Sequence, residues 1–62
     1  MIMFKKGDIV VHKSGNEYEI LFTPDISFYE PTMAQVYVYT DTKNVWVRPK
    51  SVFEDGRFTK KD

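Results

Sequence analysis

Pro49 is the residue that most constrains what this chain can fold into. It ends an alternating run, Val45-Trp46-Val47-Arg48, that carries the sole tryptophan, and it stands four residues before Phe53. Proline has no amide N–H with which to continue a β ladder, so a strand stops there or lies at a sheet edge. Pro49-Lys50-Ser51-Val52-Phe53 then reads as one tight helical turn that drops Phe53 back onto the sheet. Asp55-Gly56 marks a turn soon after, leaving Arg57-Phe58-Thr59 as a short last strand and Lys60-Lys61-Asp62 as a frayed tail.

Elsewhere the hydrophobic period is two, with turn residues every eight to twelve positions, the pattern of an all-β barrel or sandwich. Gly7-Asp8 opens a first strand, Ile9-Val10-Val11-His12, in which Ile9 and Val11 share a face. Ser14-Gly15-Asn16 supplies residues that tolerate positive φ, as a tight hairpin requires. In the second strand, Glu17 to Phe22, alternation places Tyr18, Ile20 and Phe22 toward the core and Glu17 and Glu19 outward. Thr23 to Met33 breaks the pattern, with Pro24 and Pro31 bracketing Ile26, Phe28 and Tyr29. That stretch is expected to be a long loop without strand structure in its middle, packed down through Ile26 or Phe28. Ala34 to Thr40 and Val45 to Arg48 form two further strands joined by Asp41-Thr42-Lys43-Asn44.

A chain of 62 residues makes one domain, with an ordered core expected over 6–59. It buries only about 60% of its unfolded surface. At the usual per-residue range its stability is roughly 3–9 kcal/mol, which leaves little margin for a strained polar cavity. Cysteine is absent, which rules out disulfides and thiolate metal sites and favours a cytoplasmic setting over a small stapled secreted domain. The apolar start Met1-Ile2-Met3-Phe4 is too short for a signal-peptide core or a membrane span, so no membrane association is expected. Nine Lys/Arg balance nine Asp/Glu, whereas a dedicated duplex-binding domain shows a basic excess. Lys5, Lys6, Lys60 and Lys61 near the two ends form a basic patch only if the termini meet.

Gly7-Asp8-Ile9-Val10-Val11-His12-Lys13, then Gly15, Tyr18, Tyr37, Trp46-Val47-Arg48-Pro49 and Phe53, resemble a family of small uncharacterised bacterial SH3-like domains marked by a Trp-Val-Arg-Pro strand end. The likeness runs from about Lys6 to Phe58. The opening strand and hairpin are also similar to those of other short bacterial and phage proteins. In the loop this chain carries Pro24, Phe28, Tyr29 and Pro31 where family members carry a further histidine and acidic residues. The resemblance implies a fold and no activity. The expected fold is a small five-stranded SH3-like barrel, all-β, with a long loop after strand 2 and a short helical turn before the last strand.

The third and fourth strands each have two faces of large residues. Ala34, Val36, Val38, Val45 and Val47 form one side; Tyr37, Tyr39, Trp46 and Arg48 form the other. The valine side is the expected core partner of Ile9, Val11, Ile20 and Phe22, so that Val11, Ile20, Val36, Val38, Val47 and Phe53 should be buried. Two readings of the aromatic side follow. Either the 23–33 loop folds Ile26, Phe28 or Tyr29 over it as a second small core, or it is an exposed recognition patch with a cation beside it. In the second reading the binding residues are Tyr37, Tyr39, Trp46, Arg48, Phe28 and Tyr29.

Catalysis fails on inventory. His12 is the lone histidine, next to Lys13 on a strand. Glu17 and Glu19 lie about 6.6–6.8 Å apart along their strand, and Glu54-Asp55 are neighbours on a turn. No phosphate-binding glycine loop, nucleophile elbow or metal-ligand series is present, so neither a cofactor nor a metal is expected. The expected function is that of a non-catalytic module recognising a protein partner through the aromatic face or a sheet edge. The alternatives are single-stranded nucleic-acid binding by Tyr37, Tyr39, Trp46, Arg48 and Lys50, or a homodimer with a structural role. A bacterial or phage accessory protein would suit the size and the lack of chemistry.

Overall fold

The computed structural model describes residues 2–61. It is an antiparallel, mostly β structure with strands β1 (Ile9–His12), β2 (Glu17–Phe22), β3 (Phe28–Tyr29), β4 (Ala34–Thr40), β5 (Val45–Pro49) and β6 (Phe58–Lys60). One helical turn, α1 (Lys50–Phe53), separates β5 from β6. The ladders run β6-β1-β2-β4-β5, with β3 added to the start of β4. Among the described residues no ladder joins β5 to β6, so the sheet is open rather than closed. There are six strands where five were expected. The additional one, β3, pairs Phe28 with Gln35 and Tyr29 with Ala34 inside the segment expected to lack strand structure.

The turn chemistry behaves as local physics dictates. Gly15 takes φ 100° in the β1–β2 hairpin, where its amide donates to His12 O at 2.7 Å. An L-residue would be strained in that left-handed conformation. Pro49 ends β5 and leads into α1, whose close is made by the Glu54 amide donating to Lys50 O at 2.9 Å. The C-terminal strand shifts by one residue, to Phe58–Lys60, and the Lys61 amide donates to Ile9 O at 2.8 Å. Lys60 and Lys61, expected as a frayed tail, are thus tied to β1; Asp62 lies outside the described residues.

The core forms on the face opposite to the one expected. Tyr37, Tyr39, Phe53, Phe58, Ile20, Val10 and Phe4 make the buried cluster, with Tyr18 packed against it. Val45 and Val47 are exposed, Val38 and Val11 are only half-buried, and on β1 it is Val10, not Ile9 and Val11, that points in. Of the valine side of β4 and β5 only Val36 is buried as expected, with Ile20 and Phe53 from the rest of the expected set. Ring size explains the choice. The inner side of the curled sheet receives Phe53 stacked 4.5 Å from Tyr37 and 4.0 Å from Phe58, and Phe4 edge-on to both Tyr37 and Phe53. Rings brought from α1, β6 and the N-terminal segment fill that volume with aromatic pairs that valines would leave underpacked. The cover over Tyr37 and Tyr39 therefore comes from Phe4, Phe53 and Phe58, while Ile26, Phe28 and Tyr29 stay exposed. The 23–33 segment packs through Pro24 instead, which is buried.

Within β2, Tyr18 and Ile20 face the core as expected, but Phe22 does not. Ile20 pairs with Tyr39 and Phe22 with Val38, so two steps along β2 match one along β4. This bulge turns Phe22 onto the valine face, 45% exposed, with Lys6 Nζ 5.4 Å from its ring centre.

Truncation should report the choice of face directly. Phe53→Ala is expected to cost about 3–5 kcal/mol, enough to unfold a domain of this size. Val47→Ala, at a half-exposed site, should stay within about 0.5 kcal/mol. Denaturant titration of both variants checks this, and equal losses would mean that the core lies on the valine side.

Candidate functional site

β5 is the edge strand on which the surface features converge. Its register against β4 pairs Arg48 with Tyr37, Trp46 with Tyr39, Val47 with Val38, Val45 with Thr40 and Pro49 with Val36. Trp46 and Arg48 therefore lie on the aromatic, inner side, and Val45, Val47 and Pro49 on the outer side. Its other edge carries no backbone ladder among the described residues.

A pocket of about 370 Å³ opens beside the inner side of β5, lined by His12, Ser14, Asn16, Tyr18, Tyr39, Trp46, Arg48 and Phe58. Its walls are aromatic. Tyr18 meets Trp46 edge-on at 5.6 Å and Tyr39 edge-on at 5.4 Å, and Phe58 stands edge-on to His12 at 5.0 Å. Arg48 spans the gap between β5 and β6, its guanidinium 5.7 Å from the Phe58 ring centre and its Nε donating to the Tyr39 hydroxyl at 3.1 Å. Half-buried, Arg48 makes no ion pair with a carboxylate among the described residues. On the opposite wall, His12 Nδ1 accepts from the Ser14 amide at 3.1 Å and sits 2.8 Å from Ser14 Oγ. Those contacts favour the tautomer with its proton on Nε2, leaving a second donor at the pocket.

A second pocket, about 350 Å³, lies on the outer side and is lined by Tyr29, Thr32, Ala34, Val36, Val47 and Pro49. Exposed Val45, Phe28 and Met33 belong to the same strands and turn. The six residues read from the sequence as a binding patch are thus divided. Tyr37 is fully buried and Tyr39 nearly so; Trp46 and Arg48 line the inner pocket; Tyr29 lines the outer one; Phe28 is exposed on β3. Sequence reasoning missed His12, Asn16 and Tyr18 as pocket residues, and Val47 and Pro49 as surface ones. The hairpin brings the first three beside β5 only through the curl of the sheet, which no local pattern encodes.

The most perturbed titratable groups lie away from both pockets. Burial, then the hydrogen bond to Glu54, pushes the Tyr37 hydroxyl up to about 12. Burial alone would raise the Glu54 carboxyl, but hydrogen bonds from Tyr37, from Lys50 Nζ at 2.9 Å and from the Met3 amide at 3.0 Å outweigh it and hold the group below the usual range. The Phe4 amide completes the set by donating to the Tyr37 hydroxyl at 3.2 Å. Perturbed pairs often mark catalytic centres. This one is closed, each group engaged by another, and opens into neither pocket; it is a structural clamp. Among the described residues no three His, Asp or Glu side chains converge where they could hold a metal ion, and no helix is long and apolar enough to cross a membrane. Comparison with protein-family models, with curated proteins and with solved structures found no match to this chain.

The clamp predicts a pH profile with two edges. Glu54 is held below its unfolded value, so its contribution is present above the ordinary glutamate range and is lost as pH falls through the folded value. Tyr37 is held above its unfolded value of 10.0, so its contribution persists below that and is lost as pH rises toward about 12. Tyr37→Phe should remove the alkaline loss contributed by this group and cost about 1–3 kcal/mol near neutrality, because it strands the buried Phe4 amide and takes one of its three donors from the Glu54 carboxylate. Thermal melts of both proteins across pH check this, and matching alkaline limbs would refute it.

Proposed function

We propose that this chain is a non-catalytic protein-interaction module that takes an extended segment of a partner as an added strand along β5. The observation that carries the reading is that an unpaired edge strand has a pocket on each of its two faces. Successive side chains of an added strand point to opposite faces, so such a segment would fill both pockets alternately while its backbone pairs with β5. Exposed Val45 and Val47 favour an apolar partner face, and Pro49 ends the pairing register. The balanced charge, nine Lys/Arg against nine Asp/Glu, supports a protein partner over nucleic acid, and Lys50, Arg57, Lys60 and Lys61 each already meet a carboxylate.

The architecture is read as an SH3-like barrel left open between β5 and β6. The meander β6-β1-β2-β4-β5 and the helical turn before the last strand support it, as does the likeness to the bacterial Trp-Val-Arg-Pro domains. A cytoplasmic setting accords with a cysteine-free chain.

The test is retention of partners from cell extract by the immobilised domain, with and without nuclease. Discrete protein partners should survive nuclease and be lost at least tenfold with Val47→Glu and with Trp46→Ala, and the bound wild type should gain amide-exchange protection in β5. Loss of all retained material on nuclease treatment would replace the reading with nucleic-acid binding. Concentration-dependent dimerisation that buries β5 would replace it with self-assembly.

A further inference from the structure

We propose that the inner pocket is a carboxylate subsite, in which Arg48, with His12 and Asn16 across from it, receives the side chain of an aspartate or glutamate in the added strand. The inference rests on the strand-pairing reading above and names the partner segment as apolar–acidic–apolar.

The geometry of an added strand sets the alternation. Residues opposite Val45, Val47 and Pro49 turn to the outer pocket, whose lining is almost wholly apolar. A residue opposite Trp46 or Arg48 turns to the inner pocket, where the polar groups gather. Those polar groups include one cation and several hydrogen-bond donors, and no anion. Arg48 is a half-buried cation whose only hydrogen bond among the described residues is through Nε to Tyr39, which leaves the rest of its planar fork for a ligand. His12, its Nδ1 occupied by Ser14, offers Nε2–H. Asn16 adds a side-chain amide, and no carboxylate lines the pocket.

A guanidinium fork matches a carboxylate in two parallel hydrogen bonds, and the rings packed beside half-buried Arg48 strengthen such a pair relative to one on a fully open surface. Four of the other cations are engaged: Lys50 is taken by Glu54, Arg57 by Asp55, Lys60 by Asp8 and Lys61 by Glu17. Lys5, Lys6, Lys13 and Lys43 stand on the exposed surface and line no part of this pocket, so Arg48 is the half-buried cation that a ligand in it would meet. Phosphate chemistry fits less well. A nucleic-acid strand needs cations repeated along its backbone, and the pocket holds one arginine and one histidine.

The probes are end-blocked heptapeptides, acetyl-Thr-Val-Thr-Val-Xaa-Val-Thr-amide, with glutamate, glutamine or lysine at Xaa. Binding is followed through the Trp46 indole and the Arg48 Nε–H signals. Glutamate is expected to bind at least tenfold tighter than glutamine, with lysine weakest. Arg48→Gln should erase that preference, and Arg48→Lys should restore part of it. The glutamate-to-glutamine ratio is read on the wild-type protein, so the proposal stays falsifiable even where Arg48→Gln does not fold. Equal affinities overturn the carboxylate subsite while leaving strand pairing intact. A preference for glutamate that Val47→Glu does not weaken overturns strand pairing while leaving the subsite intact. Absence of binding by all three peptides at millimolar concentration overturns both. A glutamine peptide with a free C-terminal carboxylate that outbinds the blocked glutamate peptide reassigns the pocket to chain ends. Tighter binding of an octathymidylate at the same two signals reassigns it to nucleic acid.

Discussion

Tyr37 is the residue on which the arrangement of this small protein turns. Its ring is fully buried between Phe4 and Phe53, and its hydroxyl is shared between the Glu54 carboxylate and the Phe4 amide. One side chain of β4 thereby ties the N-terminal segment, the central strand and the end of α1 into a single unit. Glu54 in turn holds Lys50 and the Met3 amide, so no polar group in the set is left unpaired. In a domain whose total stability is a few kcal/mol, a buried hydroxyl without those partners would remove a large share of it.

The orientation of Tyr37 decides which surface the protein presents. With Tyr37 and Tyr39 turned inward, parity forces Val38, Val45 and Val47 outward, and a one-residue bulge in β2 sends Phe22 after them. The valine face then flanks the outer side of β5, and Trp46 and Arg48, at the end of the aromatic face, are left at the mouth of the inner pocket. The same interior that stabilises the fold thus produces an edge strand with chemically different walls on its two sides. An apolar wall and a cationic aromatic wall are the two surroundings that alternate side chains of the proposed added strand would meet.

Much of the secondary structure was legible from local signals. Gly15 with Asn16 marked the hairpin, Pro49 the end of β5, and its spacing to Phe53 the helical turn and a buried ring, because turn geometry and proline sterics act within a few residues. Trp46 and Arg48 were likewise singled out by type, and they line a pocket. The face of β4 was not legible, since both of its sides carry large apolar groups and periodicity only says that they alternate. What settled it was the arrival of Phe4, Phe58 and Glu54 from the two ends of the chain, contacts between residues 17 to 33 positions apart in the case of Glu54 and Phe4 with Tyr37. The bulge at Ile20–Phe22, the short strand β3 and the open seam between β5 and β6 are equally products of pairing and sheet curl. Strands and turns followed from the sequence by itself because their causes are local; the choice of core face and the two-sided site followed from tertiary packing because burial is decided by distant partners.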